Sequence, residues 1–214
     1  MAGTITAIEV QARNPQRVNV FLDGVFALAL SLEVATRANL RREMTLSDQD
    51  IADLEAGETW QKTYDATLNY LSFRPRSEDE VRRYLGRRQA PNSIILRVIA
   101  RLKESGLLDD QAFARFWVEN RAAFSPRGSR ALRSELRSKG IDAEVIAESV
   151  SGDDSAAAYE AGARKVRTLR AADRETFRRK LFSFLQRRGF SYETSRETVD
   201  RLWRERERQS VSES

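Results

Sequence analysis

The feature that most constrains this chain is a leucine that returns about every 50 residues, three positions before a basic residue and four before a glycine. Leu136 precedes Lys139-Gly140-Ile141, and Leu185 precedes Arg188-Gly189-Phe190, an offset of 49 residues. Leu85 lies 51 residues before Leu136, although its glycine is missing and an Ala90-Pro91 break stands in that region. Each leucine ends an amphipathic stretch, and a second helical stretch follows each break. Recurrence of one supersecondary grammar at such a period indicates tandem helical units whose neighbours share packing. Leucine and glycine at chance spacings are the alternative, but here the basic-Gly-apolar step recurs in phase with its flanking helices.

The helices can be placed from their stripes and caps. Ser77 with Glu80 forms a capping box for a helix over 78–88, with Val81, Tyr84 and Leu85 inward. Ile95, Val98, Ile99 and Leu102 line a helix over 93–104, which Gly106 terminates. Asp110–Ala123 carries Phe113, Phe116 and Trp117. Leu132 and Leu136 mark 129–139, and Val145, Ile146 and Val150 mark the helix after Ile141. The last unit has helices over 155–168, 176–188 and 191–205, followed by a polar tail. Upstream, residues 3–11 and 17–22 alternate polar with apolar, and Asp23-Gly24 leads into Val25–Leu30. That is a hairpin signal, predicting two or three antiparallel strands, unless 25–30 already begins a helix. Ser47 with Asp50 opens a helix over 47–56 that ends near Gly57, and a separate helix covers 59–71.

The expected fold is therefore mainly α: tandem three-helix repeats in an elongated curved array, with a small N-terminal β-hairpin region. The expected divisions are 1–58 for the β-hairpin with short helices, 59–107, 108–152 and 153–206 for the repeats, and 207–214 for the tail.

Composition removes whole classes of chemistry. The 214 residues include no Cys and no His, so disulfides, thiolate or imidazole metal sites, cysteine nucleophiles and histidine acid–base schemes are excluded. No cofactor, metal site or catalytic group is expected. Ser125-Pro126-Arg127-Gly128 lacks the pattern of a phosphate loop, and a nuclease would need more converging carboxylates than Asp109 and Asp110. No apolar run spans a membrane and no leader is evident, so a cytoplasmic, soluble protein is expected. The net charge of +5 is uneven: residues 1–60 hold five Arg against nine Asp or Glu. The remainder is strongly basic and rich in arginine, whose planar fork suits carboxylate and phosphate alike. Charge alone leaves open a nucleic-acid partner, an acidic protein partner, or a plain solvated surface.

Four segments resemble the RecX regulatory proteins. Gly106-Leu107-Leu108-Asp109-Asp110, with Phe113 and Ala114, is similar to a Gly, two hydrophobics, Asp-Asp and a spaced aromatic in that family. Glu135-Leu136, followed by Lys139-Gly140-Ile141, is similar to its E-L-x-x-K-G step. The third is Lys180-Leu181, Phe184-Leu185 and Arg187-Arg188-Gly189-Phe190. The fourth is Arg74, Ser77, Glu80, Val81 and Leu85, with Tyr70 at a position often aromatic. The resemblance covers about residues 60–205, and residues 1–60 fit more loosely. Two departures stand out: Gly86 directly follows Leu85, and Ser125-Pro126-Arg127-Gly128 reverses a Gly-Pro order.

The resemblance implies a negative modulator of the RecA recombinase. It would bind RecA monomers or RecA–DNA filaments and lower ATP hydrolysis, strand exchange and RecA-stimulated self-cleavage of repressors. Weak contact with single- or double-stranded DNA would accompany this. The expected partner-binding residues are Arg82, Arg83, Arg87, Arg88, Arg127, Arg130, Arg133, Arg137, Arg178, Arg179, Arg187 and Arg188. A solvated face is the default reading for any one of them. Structural roles fall to Ser77, Leu85, Gly106, Asp109, Asp110, Phe113, Glu135, Leu136, Lys139, Gly140, Leu185, Gly189 and Phe190. Asp109 and Asp110 are expected as a helix cap rather than a metal site, and Phe113, Phe116 and Trp117 as core rather than a stacking platform. Glu135 and Lys139 are expected to pair along their helix. A helical DNA-binding module acting without RecA is the rival reading.

Overall fold

The computed structural model describes residues 2–150, 152–169 and 172–212, without the side chains of 210–212. Ser151, the first residue of the expected Ser-Gly-Asp-Asp turn, lies outside them. The chain divides into two compact units: residues 1–74 with 81–107, and residues 75–80 with 108–214.

The first unit begins with strands β1 (Gly3–Gln11), β2 (Asn14–Leu22) and β3 (Val25–Ser31), a short helix α1 (Leu32–Arg37), and a two-residue strand β4 (Thr45–Leu46). The sheet is antiparallel in the order β3-β2-β1-β4. It has four strands where two or three were expected, because β4 is too short to show an alternating pattern. The hairpin signal was sound: Leu22 pairs with Val25 across Asp23 and Gly24, whose φ values of 49° and 81° provide the left-handed pair a two-residue turn requires. Val25–Leu30 is strand, not helix. Alternate residues Val18, Val20 and Leu22 of β2 join Leu28, Leu30, Val34, Leu46 and Leu54 in one buried core.

Helix α2 (Asp48–Ser72) corrects a second expectation. It runs unbroken through Gly57, where two helices were expected, so a division at residue 58 falls inside a helix. The Ser47–Asp50 capping box is complete, both reciprocal bonds being present. Gly57 sits 3.7 Å (as a built Cβ) from Val34 Cγ1, room enough for the helix to pass α1. The next residue, Glu58, fastens α2 to the sheet. Its carboxylate accepts from Arg17 Nη1 at 2.6 Å and from the Ser31 backbone N–H at 2.7 Å, and the side chain is only 7% exposed. Burial by itself would raise its pKa, but the Ser31 N–H and Arg17 outweigh burial and hold it below the usual carboxylate range.

The remaining helices are α3 (Glu78–Arg87), α4 (Asn92–Glu104), α5 (Asp110–Phe124), α6 (Ser129–Ser138), α7 (Ala143–Ser149), α8 (Ser155–Val166), α9 (Arg174–Arg187) and α10 (Tyr192–Ser212). They form tandem three-helix repeats, so the fold is mainly α with an N-terminal sheet. In the first unit Tyr84 stacks on Tyr70 with centroids 4.1 Å apart and donates to the Ala66 carbonyl, tying α3 to α2. In the second, Phe113, Leu132, Leu136, Ile141 and Ile146 make one core, and Phe177, Leu181, Leu185, Phe190 and Leu202 make another. Helix α10 runs to Ser212, past the end expected at Glu205. Residues 213 and 214 of the expected tail lie outside the described residues.

The displaced glycine is resolved by the helix ends. Ile141 N donates to Leu136 O and Phe190 N to Leu185 O, and Gly140 and Gly189 take φ of 77° and 88°. In the first repeat Ala90 N likewise donates to Leu85 O, and Gln89 occupies the left-handed position at φ 58°. The same backbone closure is thus made without glycine. Gly86 is left inside α3, where a Cβ would meet nothing within 4 Å.

Two outcomes follow. The double substitution Gly86→Ala with Gln89→Gly returns the glycine to the position used by the other repeats. It should stabilise the chain by about 1 kcal/mol, raising Tm by about 2–4 °C in a thermal melt. Glu58→Gln should cost about 2 kcal/mol near neutral pH in urea unfolding. A depressed carboxylate contributes stability above its unfolded pKa that is lost as pH falls through the folded value. The parent should therefore weaken below about pH 4, while the variant, already without the charge, changes less there.

Candidate partner-binding site

The basic helices of the second unit are positioned by joints built from helix ends. Helix N-termini expose backbone N–H groups that need acceptors. Asp109 is the N-cap of α5 and accepts from Gln111 N and Ala112 N. Asp110 does something different: its carboxylate accepts from Glu78 N at 2.8 Å, at the first turn of α3. The paired acids are two caps for two helices, where a single cap was expected. The same device recurs in the next repeat, where Asp154 accepts from Ser129 N at the start of α6.

The basic-Gly steps meet these same N-termini. Ser77 Oγ accepts from Glu80 N and donates to Lys139 O at 2.7 Å, and Lys139 Nζ bonds Glu80 at 2.5 Å with the Glu80 side chain 9% exposed. One repeat later, Gly128 N donates to Arg188 O at 3.0 Å. A Cβ on Gly128 would overlap the Gly189 backbone. That close approach accounts for glycine after Ser125-Pro126-Arg127: it is the residue that opens α6 against the Arg188-Gly189 step.

Glu135 corrects another expectation. It was expected to pair with Lys139 along α6, but Lys139 is taken by Glu80. Glu135 instead accepts from Trp117 Nε1 and Arg121 Nε, both at 2.8 Å, with Arg127 Nε at 3.6 Å. Trp117 stacks against buried Phe113 and lies between Arg121 and Lys139, 4.6 and 4.8 Å from its ring centroid. Phe113 is core as expected and Trp117 packs half-buried against it, whereas Phe116, expected beside them, is half-buried and lies outside that cluster.

The twelve arginines separate by what they already hold. Arg127 is turned to Glu135, and Arg178 pairs with Asp200 at 2.6 Å. Arg188 Nη1 donates to Ser125 Oγ at 2.7 Å. Arg88 lies 4.9 Å over the Tyr84 ring, and Arg82 and Arg83 both make interactions within the protein. Arg130 makes one long bond, 3.3 Å, to the Gln186 carbonyl. Arg87, Arg137, Arg179 and Arg187 are exposed and Arg133 is half-buried. On α6, Arg130, Arg133 and Arg137 follow i, i+3, i+7 spacing and share one face. That face is the densest cationic stripe any single helix of the second unit offers from the expected set.

Among the described residues, no group of three or more His, Cys, Asp or Glu side chains could hold a metal ion, and no helix is long and apolar enough to cross a membrane.

Compared with known proteins, the chain matches, in order, the RecX N-terminal domain over residues 3–47 and the first, second and third RecX three-helix domains over 64–102, 109–150 and 153–199. The regulatory protein RecX of Bacillus subtilis is 30% identical, over 98% of this chain and 81% of that protein. The chain belongs to the RecX family. The RecX protein of Bacillus licheniformis is 34% identical over 88% of this chain and 73% of its own length. A crystal structure of a regulatory protein RecX superposes with a TM-score of 0.74 at 24% identity, covering 94% of this chain and all of that one. That of RecX from Lactobacillus salivarius gives 0.58 at 22% identity, covering 68% and 97%. At those identities the structures speak for the RecX fold.

The RecX motifs quoted from the sequence thus turn out to be joint residues. Ser77, Glu80, Asp110, Lys139, Gly140 and Gly189 meet one another or a neighbouring helix end. Basic residues outside those motifs were missed. Arg121, Arg164 and Lys165 carry no recurring pattern, and Phe124 keeps the helical phase of Phe113 yet is 77% exposed because α5 ends there.

The Lys139–Glu80 joint gives a double-mutant test. Lys139→Met should cost about 2 kcal/mol in urea unfolding by removing the cation of a buried ion pair, and adding Glu80→Gln should cost less than the two single losses summed.

Proposed function

We propose that this chain is a negative modulator of a RecA-type recombinase, acting by binding rather than by catalysis. It engages RecA monomers or RecA–DNA filaments in the cytoplasm and lowers ATP hydrolysis, strand exchange and the filament's stimulation of repressor self-cleavage. The observation that carries this reading is the full, ordered set of RecX domains along the chain. The three-helix repeats present the arginines; the uncommitted ones suit acidic protein surface or backbone phosphate. Within the expected set the α6 face of Arg130, Arg133 and Arg137 is the leading contact. Arg127 and Arg178, each paired with a carboxylate, support the fold instead. Direct DNA contact is weak and secondary.

The test is ATP hydrolysis by the cognate RecA on single-stranded DNA, titrated with this protein. Hydrolysis should fall steeply at substoichiometric protein. Arg133→Glu with Arg137→Glu should raise the half-inhibitory concentration at least about fivefold without lowering Tm. Unchanged hydrolysis combined with tight, salt-sensitive duplex binding would instead favour a DNA-binding module that works without RecA.

A further inference from the structure

A pocket of about 220 Å³ opens where α5 ends, lined by Phe124, Ser125, Arg164, Lys165, Phe184 and Arg188. All belong to the second unit. Three cations and two aromatic rings share its wall with Pro126, Ala161 and Thr168. Arg188 lies 5.0 Å over the Phe184 ring and Lys165 Nζ lies 5.9 Å from the same centroid. Arg164 donates to the Ala123 and Phe124 carbonyls, so the helix end is held beneath the opening.

The charge there is not balanced. Arg121 and Arg127 share Glu135, and Arg164 has Glu160 at 3.2 Å. Among the described residues, Arg188 meets a hydroxyl, a carbonyl and the Phe184 ring, and Lys165 the same ring face, with no carboxylate paired to either. Burial, and then the charges of Arg127, Arg121 and Arg164, push the Arg188 pKa down from its ordinary value. Like charges gathered with too few carboxylates are relieved by an anion. Phe124 adds a second requirement. It stands at the pocket with 77% of its surface exposed, a ring face that a small anion or a carboxylate side chain would not use. Phosphate beside an open aromatic face is the recognition chemistry of single-stranded nucleic acid.

We propose that this pocket takes one nucleotide unit of single-stranded nucleic acid, its phosphate met by Arg188, Lys165 and the Ser125 hydroxyl and its base laid on Phe124. The assignment rests on the reading that this chain touches DNA directly, and it is independent of RecA inhibition.

The experiment is fluorescence anisotropy with a labelled oligo-dT of about 20 nucleotides and no RecA, between about 50 and 200 mM salt. Phe124→Ala should weaken binding about 5- to 20-fold. Lys165→Glu should weaken it about tenfold and flatten the salt slope by about one. Arg97→Glu, the same reversal on exposed α4, should stay within about twofold. Three results would overturn the assignment: equal losses for Lys165→Glu and Arg97→Glu, an unaffected Phe124→Ala, or poly-glutamate displacing the oligonucleotide from the parent but not from Phe124→Ala. Thermal melts confirm that each variant is folded. RecA hydrolysis measured with the same variants separates the two readings, since inhibition can persist while oligonucleotide binding is lost.

Discussion

Unsatisfied backbone groups at helix ends organise this structure. Every helix leaves N–H groups at its start and carbonyls at its finish, and the ten helices among the described residues produce many of them. The chain resolves them in pairs. A carboxylate from the next helix covers one N-terminus, as Asp110 does for Glu78 and Asp154 for Ser129. A left-handed residue closes a C-terminus and brings its basic neighbour onto that same region, as Lys139 and Arg188 do. The apolar cores around Leu136 and Leu185 supply burial, but these polar contacts set which helix end meets which.

Much of the fold was legible because its strongest signals are local. Asp23-Gly24 specifies a turn whatever surrounds it, and Leu136 and Leu185 followed by glycine specify a helix end. What escaped is what depends on distant partners. Gly57 looks like a terminator, yet the helix continues through it into the Glu58 anchor, whose partners Arg17 and Ser31 lie far away in sequence. Gln89 hides a left-handed position because nothing in glutamine's identity announces one. Asp110 reads as a cap for its own helix until Glu78 is seen 32 residues away. Glu135 and Lys139 have ideal spacing for each other, and lose each other to Arg121, Trp117 and Glu80, which come from other segments.

The same distinction bears on the arginines. Doublets beside breaks are conspicuous in sequence, and that is where the fold itself has most use for a cation. Arg188 is at a helix end with a carbonyl and a hydroxyl in reach, and Arg127 lies beside the Glu135 carboxylate that Trp117 and Arg121 also use. Residues in the middle of helices, such as Arg133 and Arg179, stand farther from such demands and keep their guanidinium groups for other contacts. Phe124 is the converse case: its spacing from Phe113 promises burial, and only the end of α5 leaves its ring in water.

The unbroken passage of α2 through Gly57 has a mechanical meaning. Twenty-five residues of α-helix make a rod about 37 Å long. It is clamped to the sheet at Glu58, and farther along it meets the first repeat, where Tyr84 stacks on Tyr70. There is no hinge between those two attachments. The sheet and the first repeat are therefore joined through continuous hydrogen-bonded helix and not through a loop, so their spacing is set by the helix rise itself.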